Sequence, residues 1–330
     1  MSAERPNLPD QPTPLVQPGG PPSAGGHQPW RPLVLVRGGG DLGTGVVWRL
    51  WRSGLPVIVT ELPRPLTVRR TVAVSSAVSD GAITVEQMRA VRVDDSAPAG
   101  STNNLSHHTP AAGAPSSVGD ADADTALHLA YSGVVPVLVS ADIPRWAPTV
   151  GVSVVVDARL AKRNIDTTIN DAPLVIGLGP GFVAGQDCHA VVETMRGPRL
   201  GRVQWTGSAQ PNTGTPGLVA GHGAERVLRA PGHGTIRWAV AIGDRVELGQ
   251  PLGAVTHSAD ASQESETLEI RAPFPGLVRG LIAEGTGVKT EMKVGDIDPR
   301  FDVDCHTISD KALALGGAVL EAILHRGQGW

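Results

Sequence analysis

The segment Leu33–Gly45 reads Leu-Val-Leu-Val-Arg-Gly-Gly-Gly-Asp-Leu-Gly-Thr-Gly, an apolar run followed by closely spaced glycines. Gly38, Gly40 and Gly43 fit the pattern G-x-G-x-x-G, which forms a tight turn between a strand and a helix and lets the backbone approach a pyrophosphate. A second apolar run ends in Glu61, where a ribose-binding carboxylate is expected. The pattern predicts a Rossmann-like β-α-β unit that binds a nucleotide. The alternative is a turn of the same shape that binds nothing, or something else.

Length, charge and cysteine content exclude several classes of function. The 330 residues suffice for two domains with separate cores, and the net charge of −4 argues against binding nucleic acid or membrane through bulk charge. Cys188 and Cys305, the two cysteines, provide neither a disulfide framework nor a paired metal motif. We find no signal peptide and no apolar run long enough to cross a bilayer. We therefore expect a cytoplasmic protein without nucleic-acid or membrane partners.

Three further apolar runs, Val134–Val139, Val152–Val156 and Leu174–Leu178, follow the first unit. Near-continuous β-branched runs are typical of parallel strands that are buried on both faces. Ligands of such sheets lie beyond the carboxyl ends of the strands. Because Asp157 and the loop Gly177–Gly181 fall at two of these ends, we expect them to share one cleft with the glycine loop.

Two arginines and two glycines complete the predicted anion site. Pro65 can begin a short helix that directs Arg69 and Arg70 back at the glycine loop, where guanidinium groups could hold a phosphate or a carboxylate. Gly179 and Gly181 offer a second place where the backbone can approach an anion. The alternatives are a solvated helix face for the arginines and a plain turn for the glycines.

Low-complexity segments divide the chain. Residues 1–30 are predicted to form a disordered tail, and 94–124 a disordered insertion into a surface loop. His107 and His108 lie in that insertion without other ligands around them, so no metal site is predicted. The predicted folded units are a Rossmann-like α/β domain over 31–225, a small β module over 226–300 and a C-terminal helical segment over 301–330.

An internal repeat marks the second domain. Residues 229–253 and 271–295 match each other, and the triplet Arg-Ala-Pro opens both halves. Each half is a small β unit that cannot bury its apolar side alone, so the two are expected to pack together. The spacing resembles the biotinyl/lipoyl-like barrel-sandwich fold. The connection Thr256–Thr267 contains no lysine to carry a cofactor, so neither biotin nor lipoate is expected.

The C-terminal segment contains a cysteine and a predicted helix. Cys305 and His306 are adjacent rather than spaced as a nucleophile and its base. Cys305 is either a buried structural thiol or a reactive thiol that handles sulfur, selenium or a metal, which would require a depressed pKa and access. An amphipathic helix is predicted over 310–325, with Ser309 as its N-cap.

The stretches that carry a family resemblance run over nearly all of the segments predicted to be ordered. They are Arg37–Thr44, Thr60–Glu61, Arg69–Thr71, Pro136–Val139, Val156–Lys162, Val175–Phe182, Glu193–Gly197, Pro211–Gly214, Val294–Arg300 and Cys305–Ala322. On these stretches the chain resembles the selenium-dependent molybdenum hydroxylase system proteins, the YqeB-type accessory family. It departs from the family in its proline-rich tail, in the insertion, and at Gly39 and Gly43, where alanine is expected.

The resemblance implies a role in the maturation of molybdenum hydroxylases of the xanthine dehydrogenase type, by processing or inserting the molybdenum cofactor or its terminal sulfur or selenium ligand. The implied partners are a client hydroxylase or its other maturation factors. In this hypothesis the glycine loop with Asp41 and the two arginines meets the phosphates, and Glu61 meets a ribose or pterin hydroxyl. Asp157 and Lys162 meet the reacting end and, with Cys305, are the catalytic candidates.

Two alternatives stay open. An NAD(P)-linked oxidoreductase fits the glycine loop, and Glu61 would favour NAD because a carboxylate repels a 2′-phosphate, but no acid–base pair is tied to a substrate pocket. A non-enzymatic scaffold for hydroxylase assembly fits the lack of a catalytic constellation. The candidate cofactors are therefore NAD(P), another nucleotide or a molybdopterin-type cofactor.

Overall fold

The computed structural model describes residues 31–93, 120–212, 214, 219–257 and 266–327. The predicted tail lies outside the described residues, as does most of the predicted insertion with His107 and His108. The last residues of that insertion belong to a helix that begins at Asp120. The boundaries predicted for the folded units stay predictions.

Nine strands in the described ranges form one large sheet. They are β1 (Leu33–Arg37), β2 (Val57–Glu61), β3 (Ala82–Val85), β4 (Met88–Val93), β5 (Val135–Val139), β6 (Val152–Asp157), β7 (Leu174–Leu178), β8 (Ala190–Val192) and β9 (Val203–Gln204). Their order is β3-β4-β5-β2-β1-β6-β7-β8-β9. Neighbours from β4 to β8 are parallel, whereas β3 and β9 add antiparallel edges. Because β1 and β7 are buried at every residue, as their apolar runs predict, the large parallel sheet is confirmed.

The helices correct the Rossmann-like part of the prediction. The described helices are α1 (Asp41–Arg52), α2 (Ala77–Asp80), α3 (Asp120–Tyr131) and α4 (Asp310–Gly327). A doubly wound sheet needs a helix after each parallel strand, but the connections over 140–151 and 158–173 consist of turns and irregular chain. The first contains Pro144 and Pro148, which break a helix, and the second is rich in Asn, Asp and Thr, which favour turns.

Helix α4 packs directly on α1. A Cβ atom on Gly45 of α1 would lie 2.5 Å from the Cβ of Ala312, so the two helix backbones nearly touch. Apolar residues of α4 such as Leu315 and Val319 join the core between α1 and the large sheet. The predicted helix and its cap are confirmed, because the Ala312 N–H donates to the Ser309 hydroxyl at 3.2 Å.

The repeat forms two further sheets. Its strands are β10 (Val227–Arg229), β11 (Gly234–Trp238), β12 (Arg245–Val246), β13 (Pro251–His257), β14 (Glu266–Arg271), β15 (Gly276–Leu281), β16 (Gly287–Val288) and β17 (Lys293–Asp298). The orders β10-β17-β15-β12 and β14-β13-β11-β16 describe two antiparallel sheets of four described strands each. Each sheet takes two strands from each half of the repeat. The two halves therefore pack together around one core, and they do so by contributing strands to both sheets rather than by forming one sheet each.

The chain after Glu61 also differs from the predicted short helix. Residues 62–69 are irregular, and two single turns of 3-10 helix, Arg70–Val72 and Val74–Ser76, precede α2. This path places the segment between the large sheet and the strands of the repeat. None of the helices in the described ranges has the length and apolar character of a bilayer-spanning segment.

Candidate functional site

The glycine loop is a tightly packed turn. Gly38 has a φ of +96°, and its N–H donates to the Thr60 carbonyl at 2.8 Å. A Cβ atom on Gly43 would overlap the carbonyl oxygen of Gly38, so α1 begins in direct contact with the turn. Alanine, expected here from the family resemblance, would require α1 to move away from the turn. The contact explains why this chain has glycine at position 43.

Glu61 holds the turn from the end of β2. Its two carboxylate oxygens accept hydrogen bonds from the N–H groups of Gly39 at 2.8 Å and Leu62 at 2.7 Å. Burial raises the pKa of Glu61, while these two hydrogen bonds oppose the shift. The carboxylate is therefore engaged with the backbone of the loop. Its contact with a ligand hydroxyl stays a prediction.

The two arginines predicted to act together point to different places. Arg69 is buried, and its Nη1 lies 3.7 Å from Asp41 in the first turn of α1. Burial lowers the pKa of Arg69, and the neighbouring Arg279 lowers it further. Arg70 begins the 3-10 turn, and its Nε donates to the Leu281 carbonyl of β15 at 2.8 Å. Of these two arginines, Arg69 is the one that approaches the first turn of α1.

Asp157 belongs to a buried network of charges at the carboxyl ends of β1 and β6. It is 2% exposed and accepts from Arg159 Nη2 at 2.6 Å and from the Thr167 hydroxyl at 2.6 Å. Arg37 Nη1 lies 2.8 Å from Asp166 and donates to Thr167 at 2.9 Å. The network ties the chain after β6 to the end of β1. The role of Asp157 in catalysis stays a prediction.

The other two catalytic candidates lie apart from this network. Lys162 is exposed and has a φ of +63°. Cys305 is 4% exposed, and its Sγ lies 3.8 Å from the Val278 carbonyl of β15. Burial raises the pKa of the Cys305 thiol, although Arg69 and Arg279 act in the opposite direction. These features fit a buried structural thiol better than a reactive one.

The second glycine loop is filled by protein atoms. A Cβ on Gly179 would lie 2.6 Å from the Thr194 hydroxyl, and one on Gly181 would overlap the backbone of Arg163. Both glycines therefore permit close packing of neighbouring loops. Their contact with an anion stays a prediction.

A cavity of about 210 Å³ adjoins the first glycine loop. It lies between the segment 63–79 and the turn 283–286 of the repeat. Thr67 connects it to the loop, because a Cβ on Gly40 would lie 3.5 Å from the Thr67 hydroxyl. Hydroxyl side chains dominate its polar lining, which includes Thr67, Ser75, Ser76, Ser79 and Thr286. We name it the hydroxyl cavity.

Two arginines that line the hydroxyl cavity have guanidinium nitrogens without a protein partner among the described residues. Among the described residues, Arg64 and the terminal nitrogens of Arg70 have no hydrogen-bond or ion-pair partner. The carboxylate in the lining, Glu284, lies 3.6 Å from Arg237 at the surface. The cavity therefore presents an excess of positive charge beside hydroxyl groups.

Sequence reasoning missed this cavity because its walls are distant in sequence. The signal that could have pointed to it is the Ser75-Ser76 pair with Ser79, close to the sequence Pro63-Arg64-Pro65.

The shifted pKa of Lys311 was also not predicted from the sequence. This lysine is half-buried at the start of α4, where burial lowers its pKa while the negative charge of Asp41 opposes the shift. The described residues contain no group of three or more His, Cys, Asp or Glu side chains suited to hold a metal ion.

Comparison with known proteins tests the predicted family resemblance. No family model matches the chain. The Escherichia coli (strain K12) protein named "Uncharacterized protein YqeB" is 40% identical over 309 residues, which cover 92% of this chain and 49% of that protein. The chain is thus similar to YqeB over nearly its whole length, so the predicted resemblance is confirmed in this respect. The chain spans about half the length of this curated relative, and the link to selenium-dependent molybdenum hydroxylases is not confirmed.

Three of the similar solved structures carry the names of desuccinylase or aspartoacylase proteins. A succinylglutamate desuccinylase/aspartoacylase from Rhodobacter sphaeroides is 22% identical over 22% of each chain, with a TM-score of 0.20. An aspartoacylase family protein from Mesorhizobium loti is 20% identical over 28% of each chain, with a TM-score of 0.20. A succinylglutamate desuccinylase from Silicibacter sp. TM1040 is 11% identical over 81% of this chain and 84% of that chain, with a TM-score of 0.23.

These comparisons correct two predictions. The predicted maturation factor for a molybdenum hydroxylase is corrected, since no comparison found supports molybdenum or selenium chemistry. The predicted pairing of a Rossmann-like domain with a barrel-sandwich module is wrong as well, and the supported description is mixed α/β with a large parallel sheet. Neither the NAD(P)-linked oxidoreductase nor the assembly scaffold gains support. With TM-scores of 0.20 to 0.23, the likenesses assign no hydrolase activity to this chain.

Proposed function

We propose that the chain binds a small hydroxylated anion, such as a sugar phosphate or a hydroxy acid, in the hydroxyl cavity. The observation that carries the proposal is the pair of guanidinium groups, those of Arg64 and Arg70, whose terminal nitrogens have no partner among the described residues, in one cavity lined with serine and threonine. The planar fork of an arginine side chain matches the oxygens of phosphate and carboxylate groups. The cavity volume of about 210 Å³ favours a small molecule over a dinucleotide.

The hydroxyl groups are arranged to accept hydrogen bonds from a ligand. Ser76 donates to the Arg70 carbonyl at 2.8 Å, and Thr286 donates to the Ala283 carbonyl at 2.6 Å. Each hydroxyl oxygen keeps lone pairs after its own hydrogen has been donated. The lining thus supplies acceptors for the hydroxyl groups of a ligand, while the arginines supply donors for its anionic group.

The position of Arg70 is built into the fold. Its Nε is held by the Leu281 carbonyl at 2.8 Å, and its own carbonyl accepts from Ser76 at 2.8 Å. The first contact limits the conformations of the side chain and the second holds its backbone, so less entropy is lost when the terminal nitrogens bind an anion. Catalysis by any residue of the chain and a cytoplasmic location stay predictions.

Isothermal titration calorimetry with inorganic phosphate, glycerol 3-phosphate and gluconate tests the proposal. Arg64→Gln should weaken binding about ten-fold or more, because a hydrogen bond to a charged group contributes about 1.5–3 kcal/mol. The matched control is Arg89→Gln, since Arg89 is exposed on β4 and lies outside the cavity lining. Absence of binding by all three anions, or equal affinities of the Arg64→Gln variant and the native chain, would refute the proposal.

A further inference from the structure

A second cavity, of about 430 Å³, lies on the other side of Arg70. Arg70, Ser76 and Glu284 line both cavities, so the two spaces share one wall. One side of the second cavity comes from the large-sheet part of the chain through Thr71 and Ile83. The other side comes from the repeat.

The second cavity is lined by six apolar residues and by the polar residues Arg70, Thr71, Ser76, Asp80 and Glu284. The apolar residues are Ile83, Trp238, Val240, Ala241, Ile242 and Leu281. The indole N–H of Trp238 donates to the Ile282 carbonyl at 2.9 Å, so the polar atom of the ring is already satisfied. Trp238, Val240 and Ile242 are only partly buried, so apolar surface remains for a ligand to cover. We name this space the apolar cavity.

Arg70 suits the junction between two unlike ligand groups. Its aliphatic stem and planar guanidinium can pack against an apolar or aromatic group, while its terminal nitrogens donate to an anion. Because the side chain is anchored at the Leu281 carbonyl, it separates the two spaces at a defined place. A ligand that spans the junction would meet charge at one end and apolar surface at the other.

We infer that the two cavities form one bipartite site for an anion that carries an aromatic or short aliphatic group. This inference rests on the proposed function, because the anionic end occupies the hydroxyl cavity beside Arg64 and Arg70. The apolar end lies against Trp238, Val240 and Ile83. The ligand class is therefore narrower than hydroxylated anions in general and consists of their amphiphilic members.

Titration of the native chain with inorganic phosphate and with phenyl phosphate tests the inference. Phenyl phosphate should bind at least about ten-fold more tightly, since even one buried methylene can contribute that factor. Trp238→Ala should reduce the affinity for phenyl phosphate to that for inorganic phosphate without changing the latter. Ile83→Ala, on the opposite wall, should act in the same direction and serves if Trp238→Ala does not fold, as judged by its thermal unfolding.

The control and the outcomes separate the inference from the proposed function. Leu248→Ala changes an apolar residue of the repeat that is 69% exposed and outside both linings, so it should leave both affinities unchanged. Equal affinities of the native chain for the two phosphates would overturn the inference while the proposed function stands. Equal losses for both phosphates in Trp238→Ala and Ile83→Ala would also overturn it. Absence of binding by both phosphates would overturn the inference, and if glycerol 3-phosphate and gluconate also fail to bind, the proposed function is overturned with it.

Discussion

Alanine substitutions at Gly316 and Gly317, two adjacent glycines of α4, distinguish the effect of helix propensity on stability from the effect of packing against α1. Alanine is favoured over glycine inside a helix by about 0.5–1 kcal/mol. Among the described residues, nothing lies within 4 Å of the Cβ that Gly317→Ala would add, so this variant should gain that amount. The Cβ added by Gly316→Ala would overlap the Gly45 carbonyl and lie 2.8 Å from the Cβ of Arg49. The same chemical change should therefore have opposite effects at neighbouring positions.

The magnitude for Gly316→Ala follows from the atoms it would meet. Overpacking a close contact costs about 1–3 kcal/mol, and a backbone carbonyl cannot rotate away as a side chain can. After the gain in helix propensity, we expect a net loss of about 1 kcal/mol in the free energy of unfolding. At roughly 2–4 °C per kcal/mol, Gly316→Ala should lower the melting temperature by about 2–4 °C, and Gly317→Ala should raise it by about 1–4 °C.

Differential scanning calorimetry of the two variants and the native chain measures these shifts. Circular dichroism at 25 °C shows whether both variants keep the helix content of the native chain. A rise of the melting temperature in both variants would refute the close packing of α4 on α1. A fall in both would refute the assignment of open space at Gly317.

Three further predictions follow from the buried and paired groups. Asp157→Asn should lower the free energy of unfolding in urea by about 3 kcal/mol, because it breaks a buried ion pair, and a loss below about 1 kcal/mol would contradict this. The hydrogen bonds from Arg196 lower the pKa of Asp310 from its ordinary value of 3.8 to about 2. The pair therefore stabilises the fold fully at pH values above 3.8, and this contribution is lost as the pH falls towards 2. In Arg196→Gln, carboxyl NMR titration should show the pKa of Asp310 rising towards 3.8, and an unchanged value would exclude the pair as the cause. Burial raises the pKa of Cys188 to about 11 and also raises that of Cys305, so iodoacetamide at pH 7 should label both in urea before either is labelled in the native chain, as followed by mass spectrometry.

Local patterns predicted the parts of the fold that depend on neighbouring residues. The apolar runs Val152–Val156 and Leu174–Leu178 became strands within one residue of the expected bounds, because β-branched residues are stable on a pleated surface buried on both faces. Ser309 caps α4 because its hydroxyl can satisfy a free N–H of the first turn. These features need no information from the rest of the chain.

Features that depend on distant contacts were not predictable in the same way. Arg69 and Arg70 could be placed near the glycine loop, but the direction of Arg70 depends on the Leu281 carbonyl in another sheet. The hydroxyl cavity likewise exists only because the turn 283–286 packs against residues 63–79. The exchange of strands between the halves of the repeat depends on pairings such as β10 with β17, which similarity of sequence does not specify.

The contact of α1 with α4 has a consequence for synthesis. Val46, Val47 and Leu50 share a core with Leu315 and Val319, yet the ribosome makes these two helices far apart in time. At about 5–20 residues per second, the interval is on the order of tens of seconds. During that time the nascent chain displays an apolar helix face next to the unfinished sheet. Chaperones that bind apolar surface should therefore stay on the nascent chain until residues 310–327 have left the ribosome.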